Sequence, residues 1–153
     1  MDPASAGVAF VSFAASIASL SAITLKSCKN INNIAHSLKH APDNIHRLCS
    51  KVERLQRLIT EIERIGSELG HESLGIDLQK DWTTFAMAMK TDVVALEKKI
   101  SRLQKSLNEK SSSKIHVSVR VRMYFSAEEV DKYEAILSDH VEAINILLSI
   151  LSK

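Results

Sequence analysis

Residues 45–62 read IHRLCSKVERLQRLITEI, and the spacing of their apolar side chains decides the fold. The apolar positions alternate between intervals of three and four residues, the period of a helix with one buried face. They are Ile45, Leu48, Val52, Leu55, Ile59 and Ile62. We expect the row to lie on the second helix of the chain, α2, between about residues 43 and 65, and we call it the α2 seam. It lasts for nearly three heptads, so we expect a long helix that packs lengthwise against other helices.

The segments on either side of this helix carry turn signals. Upstream, residues 40–43 (His-Ala-Pro-Asp) predict a turn with proline near the first helical position. Downstream, a cluster of glycines predicts the next connection at residues 66–75. A third helix then runs from Asp77 to Leu107, and a last helix follows residue 126. Beyond the α2 seam, the expected core residues are Trp82, Phe85, Leu96, Leu137 and Leu148.

The stretch before the last helix has a different period. Residues 115–125, IHVSVRVRMYF, alternate apolar with polar side chains, which indicates a strand. A lone strand has no partner within this chain, so we expect an extended arm that lies on the helices or pairs with something outside the chain. Arg120 and Arg122 would alternate outward, where solvent exposure is favoured over contact with anionic lipid headgroups or a partner. Ser126 and Glu129 form a capping box that starts the last helix. We therefore predict an all-α bundle of about four long helices with a short extended arm before the last helix. Its single domain covers residues 1–153, and the linker and arm cover residues 108–125.

The N-terminal segment is set apart by its lack of charge. Residues 3–25, PASAGVAFVSFAASIASLSAITL, contain no charged side chain. As a helix they would measure roughly 35 Å, enough to cross a bilayer core of about 30 Å. The run suits the central helix of a bundle equally well, and its five serines weaken it as a permanent span. We expect conditional insertion or tight packing, within a helix from about Ala4 to about Leu38.

Composition limits the classes of function. The chain has 153 residues, 45% hydrophobic and 25% charged, with a net charge of only +2. Bulk electrostatics therefore predicts neither a nucleic-acid nor a membrane partner. Two cysteines, Cys28 and Cys49, cannot build a disulfide framework, and a reduced cytoplasmic setting is expected. Glycine-rich phosphate-binding loops are absent from the sequence.

Catalytic and metal-binding chemistry find little support in the residues. His36 and His40 would share a helix face near the two cysteines, but Pro42 interrupts the spacing and no zinc pattern results. Cys49 lacks an oxyanion loop or an orienting partner, so a small buried hydrophobe is the better interpretation. We expect no enzyme activity, no catalytic residue, no metal site and no cofactor.

The opening MDPASAGVAFVSFAASIASL resembles the start of the fungal N-terminal domains of STAND (NOD-like) proteins, in the HeLo and HeLo-like family. The resemblance continues at Pro42, Ile45 and Leu48, and in the last helix at Val130, Tyr133, Leu137 and Leu148. It implies a helical bundle that acts in programmed cell death and heterokaryon incompatibility. It also implies an N-terminal helix that targets membranes after oligomerisation.

From this resemblance we expect a non-enzymatic effector or signalling domain. It would self-associate on activation, contact membrane lipids and answer to a NOD-like receptor module in cis or in trans. The implied location is the cytoplasm, with plasma-membrane association on activation. The implied membrane-targeting residues are Val8, Phe10, Val11, Phe13, Ile17 and Leu20. The alternative is a helical protein–protein interaction adaptor without membrane activity, which the heptad seams favour.

Overall fold

A computed structural model describes residues 21–38, 41–69, 76–108 and 117–151, which form five helices. Helix α1 covers residues 21–37 of the described chain. The others are α2 (Asp43–Leu69), α3 (Ile76–Asn108), α4 (Val117–Tyr124) and α5 (Ala127–Leu151). The predicted all-α bundle is confirmed, with four long helices and one short one in the described ranges.

The predicted helix boundaries agree with the structure in most places. The Pro42 carbonyl accepts hydrogen bonds from the backbone N–H groups of Ile45 (3.0 Å) and His46 (3.3 Å), so proline stands at the start of α2. Ser126 Oγ accepts a 3.1 Å hydrogen bond from the Glu129 N–H, which confirms the predicted cap. The connection predicted at residues 66–75 begins later, because α2 continues to Leu69.

Polar contacts between helices define their directions. Asn30 bonds to Glu97 (3.2 Å) and Ser37 to Gln104 (3.3 Å), each pair separated by 67 residues, so α1 and α3 are parallel. Arg47 bonds to Glu134 and Lys51 to Ser138, each separated by 87 residues, which makes α2 and α5 parallel. Asp92 bonds to His140, and Lys99 forms an ion pair with Glu129, which makes α3 and α5 antiparallel. The bundle therefore alternates in direction along its four long helices.

The core lies along the axis of these helices. All six residues of the α2 seam have an exposed fraction of 1% or less. Trp82, Leu96 and Leu137 are buried as predicted, and Phe85 and Leu148 are partly buried against the same cluster. The seam therefore packs inward against the other helices of the bundle, as its spacing indicates.

The extended arm is the part of the prediction that is wrong. Residues 117–124 form helix α4, which packs on α3. Val121 and Phe125 are buried and lie four residues apart, which is a helical spacing. An alternating strand would bury Val119 on the same face as these two residues, but Val119 is 45% exposed. Arg120 also points inward: its exposed fraction is 9%, and its Nη1 donates to the Ser106 backbone carbonyl and to Ser106 Oγ (2.7 Å).

Replacing each arginine of α4 by alanine tests this helical placement. Arg120→Ala removes a buried anchor between α4 and α3, and we expect it to lower the free energy of unfolding by about 1–3 kcal/mol. Arg122→Ala changes an exposed residue of the same helix, and we expect a change within about 0.5 kcal/mol. Urea unfolding followed by circular dichroism measures both. Equal effects of the two substitutions would contradict the buried position of Arg120.

Candidate functional site

The predicted membrane-targeting residues lie outside the described part of the chain. Val8, Phe10, Val11, Phe13, Ile17 and Leu20 all precede residue 21, where the description of α1 begins. The implied role of these six residues therefore stays a prediction.

The last residues of the charge-free run, 21–25, do belong to the described part of α1. Ser21 and Thr24 are buried, with exposed fractions of 1% and 0%, whereas Ala22 and Ile23 are exposed. One side of this segment therefore faces the bundle and the other faces solvent. Ile23 is 40% exposed, so the run does not end as a helix surrounded by protein on every side.

The fully buried side chains in this part of α1 are small, and Leu25 is partly buried against the core beside them. Ser21, Thr24, Ser27 and Cys28 face the interior, and large apolar residues, Ile31, Ile34 and Leu38, take over farther along the helix. Small residues let helices approach closely, but each buries little apolar area. Ser21 Oγ is buried without a hydrogen-bond partner among the described residues.

Within the ranges that the structure describes, no helix has the length and apolar character needed to cross a membrane. Residues 1–20, which hold most of the charge-free run, lie outside these ranges.

Both cysteines are buried thiols. Cys28 and Cys49 have exposed fractions of 0% and 7%, and they are not joined in a disulfide. Burial, with a smaller contribution from the Glu97 carboxylate, raises the pKa of Cys28 to about 12. Burial alone raises the pKa of Cys49 to about 11. A thiol that stays protonated is a poor nucleophile, so Cys49 fits the predicted role of a small buried hydrophobe.

These raised pKa values predict slow thiol chemistry in the folded protein. At about pH 8 we expect a thiol-specific disulfide reagent to react at least about tenfold more slowly with the folded chain than with the urea-unfolded chain. Absorbance of the released chromophore gives both rates. Fast reaction of either cysteine in the folded chain would contradict its burial.

The same thiols couple folding to pH. Because both folded-state pKa values lie above the ordinary value of 9.0, the unfolded chain loses these protons first as the pH rises. We expect their contribution to the free energy of unfolding to be intact below about pH 9 and to decline above it. The Cys28→Ala/Cys49→Ala variant is the control, since it keeps the other titrating groups and lacks this decline.

A histidine and a carboxylate join α3 to α5. His140 Nε2 lies 2.7 Å from Asp92 Oδ2, and the His140 ring meets the edge of the Phe85 ring at a centroid distance of 5.5 Å. His140 is 8% exposed. Burial, with a smaller contribution from the Asp92 carboxylate, raises the pKa of Tyr133. Sequence reasoning missed this pair, although His140 follows Leu137 by three residues and therefore occurs on the apolar side of α5.

An apolar cleft lies between the first turns of α3 and the last turns of α5. It measures about 210 Å³, and its lining is Asp81, Trp82, Phe85, Ala143, Ile146, Leu147 and Ile150. Ile146 and Ile150 are 57% and 49% exposed. Trp82 Nε1 is buried and has no hydrogen-bond partner among the described residues. This cleft is the part of the described surface best suited to an apolar partner side chain.

Metal-binding geometry is not found among the residues that the structure describes. No group of three or more histidine, cysteine, aspartate or glutamate side chains there has the arrangement needed to hold an ion. His36 is exposed on α1, and His40 lies outside the described residues.

No family model, curated protein or solved structure matches this chain.

Proposed function

We propose that the chain is a non-enzymatic effector or signalling domain that oligomerises on activation and targets membranes through its N-terminal segment. The observation that carries this proposal is the charge-free run of residues 3–25 in a chain of which 25% is charged. The resemblance of the same segment to fungal STAND N-terminal domains supports a role in programmed cell death or incompatibility. Location in the cytoplasm, with recruitment to the plasma membrane, belongs to the same proposal.

The described end of the run supports regulated release of this segment. The fully buried side chains of residues 21–28 are small, Leu25 is only partly buried against the core, and Ile23 faces solvent. Burial of small side chains contributes less free energy than burial of leucine or isoleucine, so this part of α1 adheres less strongly than the α2 seam does. A segment that must leave the bundle on activation needs such weak adhesion.

Dye release from liposomes tests the proposal. We expect the wild-type chain to release dye from phosphatidylserine-containing vesicles and Ala15→Glu, in the middle of the run, to abolish release. A charge within a membrane-inserted helix costs about 2.5–3.5 kcal/mol on insertion scales. Ala135→Glu is the matched control, because Ala135 is exposed on α5. Circular dichroism establishes that each variant is folded. Undiminished release by folded Ala15→Glu would contradict the role of the run.

The second candidate is a self-associating adaptor without membrane activity. The α2 seam no longer favours it, since all six of its residues are buried within the chain. Its support is now the apolar cleft with the exposed side chains of Ile146 and Ile150.

Sedimentation equilibrium tests this second candidate. If two copies associate through the cleft, the wild-type chain is a dimer and Ile146→Asp is a monomer, because burying an unpaired carboxylate is costly. Ile23→Asp changes an exposed isoleucine on α1 and serves as the control. A wild-type chain that stays monomeric at high concentration would contradict the adaptor.

A further inference from the structure

Positive charge is concentrated in one part of this nearly neutral chain. Between Glu97 and Glu128 there is one acidic residue, Glu109, and there are eight basic residues. They are Lys98, Lys99, Arg102, Lys105, Lys110, Lys114, Arg120 and Arg122. The net charge of the whole chain is +2, so the remainder is net negative. Such asymmetry along the sequence gives the C-terminal half of α3 and the chain up to α4 a positive charge that the net charge conceals.

Two of the basic residues hold α4 against the bundle. Lys99 Nζ lies 5.4 Å from the centroid of the Phe125 ring and 3.5 Å from the Tyr124 carbonyl, and it forms an ion pair with Glu129. Arg120 bonds to Ser106. The charges of these two residues are thus directed at protein groups, and α4 is fixed beside the C-terminal half of α3.

Four other basic residues face outward in the same region. Lys98, Arg102 and Lys105 are exposed and share one side of α3, since they are four and three residues apart. They are next to Lys99 and Ser106, the residues of α3 that hold α4. Arg122 is exposed on α4 itself. Among the described residues, no carboxylate lies within salt-bridge distance of any of these four cations.

Helix α4 presents apolar side chains beside these cations. Met123 is 71% exposed and Val119 is 45% exposed. Val119 lies three residues before Arg122 and four before Met123, so it adjoins both on the exposed side of α4. Val121 and Phe125 already supply the apolar contacts that α4 makes with the bundle. Met123 and Val119 are therefore not needed for packing and remain in water at a free-energy cost.

We propose that this basic face, formed by Lys98, Arg102, Lys105, Val119, Arg122 and Met123, lies on an anionic lipid surface. Cations around a small apolar patch are the composition of interfacial membrane contacts, where the apolar residues enter the acyl boundary and the cations meet the headgroups. Nucleic acid is the weaker match, because its phosphate backbone offers no apolar surface to Met123 and Val119. The proposal rests on the proposed membrane function and names the lipid class for it.

Co-sedimentation of the full chain with vesicles tests the proposal. We expect binding to phosphatidylcholine vesicles that contain phosphatidylserine, no binding to phosphatidylcholine alone, and weaker binding as salt is added. Lys98→Glu/Arg102→Glu should lower the partition coefficient at least about tenfold. Arg54→Glu/Arg57→Glu makes the same charge change on exposed residues of α2 and should lower it less than about threefold.

Substitution of methionine separates the apolar contribution from the charge. Met123→Ser should weaken vesicle binding several-fold, because it removes an apolar group that enters the interface. Met87→Ser, at a methionine that is 56% exposed on α3, should leave binding unchanged. Equal effects of the two serine substitutions would overturn the assignment of Met123 to the contact.

The outcomes distinguish this proposal from the membrane function on which it rests. Vesicle binding by wild type without dye release contradicts the role of residues 3–25 and leaves the basic face supported. Equal losses in the two charge-reversed variants would show that binding follows overall charge and would overturn the basic face. Binding of duplex DNA that Lys98→Glu/Arg102→Glu abolishes, without vesicle binding, would overturn it in favour of nucleic acid.

Discussion

Burial of the α2 seam is the constraint on which the rest of the bundle depends. Its six apolar residues face the interior and have exposed fractions of 1% or less. Because they recur at intervals of three and four, α2 has only one orientation in which they all leave water. Polar contacts at the rim, the ion pair of Arg47 with Glu134 and the hydrogen bond of Lys51 to Ser138, then fix how far α5 shifts along it.

The fold was predictable where one strong period extends over many residues. The α2 seam, the cap at Ser126 and the length of α3 all rest on local patterns that tertiary contacts only reinforce. The strand predicted over residues 115–125 is wrong for residues 117–124, which are helical. Their alternating pattern is also compatible with a helix that has one exposed side. The inward position of Arg120, which bonds to Ser106, distinguishes the helix from the strand. Ser106 lies 14 residues away in sequence, so no local pattern reveals this contact.

The candidate sites divide in a similar way. Burial of Cys28 and Cys49 follows from cysteine's ordinary preference, whereas the pairing of His140 with Asp92 required the register of α3 against α5. The basic face could not be predicted from the sequence for a different reason. Its cations look like a solvated helix face until α4 is placed beside them with Met123 outward. Membrane targeting by residues such as Phe10 and Ile17 stays a prediction, since these residues precede the described part of α1.

The unequal side chains along α1 have a mechanical consequence. From Ser21 to Cys28 the fully buried side chains of α1 are small, with Leu25 only partly buried, and from Ile31 to Leu38 they are large. A force or a competing surface that pulls on α1 at Ser21 therefore acts first on residues that are held less strongly than Ile31 to Leu38. Helix α1 would separate from the bundle starting at Ser21, and the separation would end near Ile31, where the large buried side chains begin.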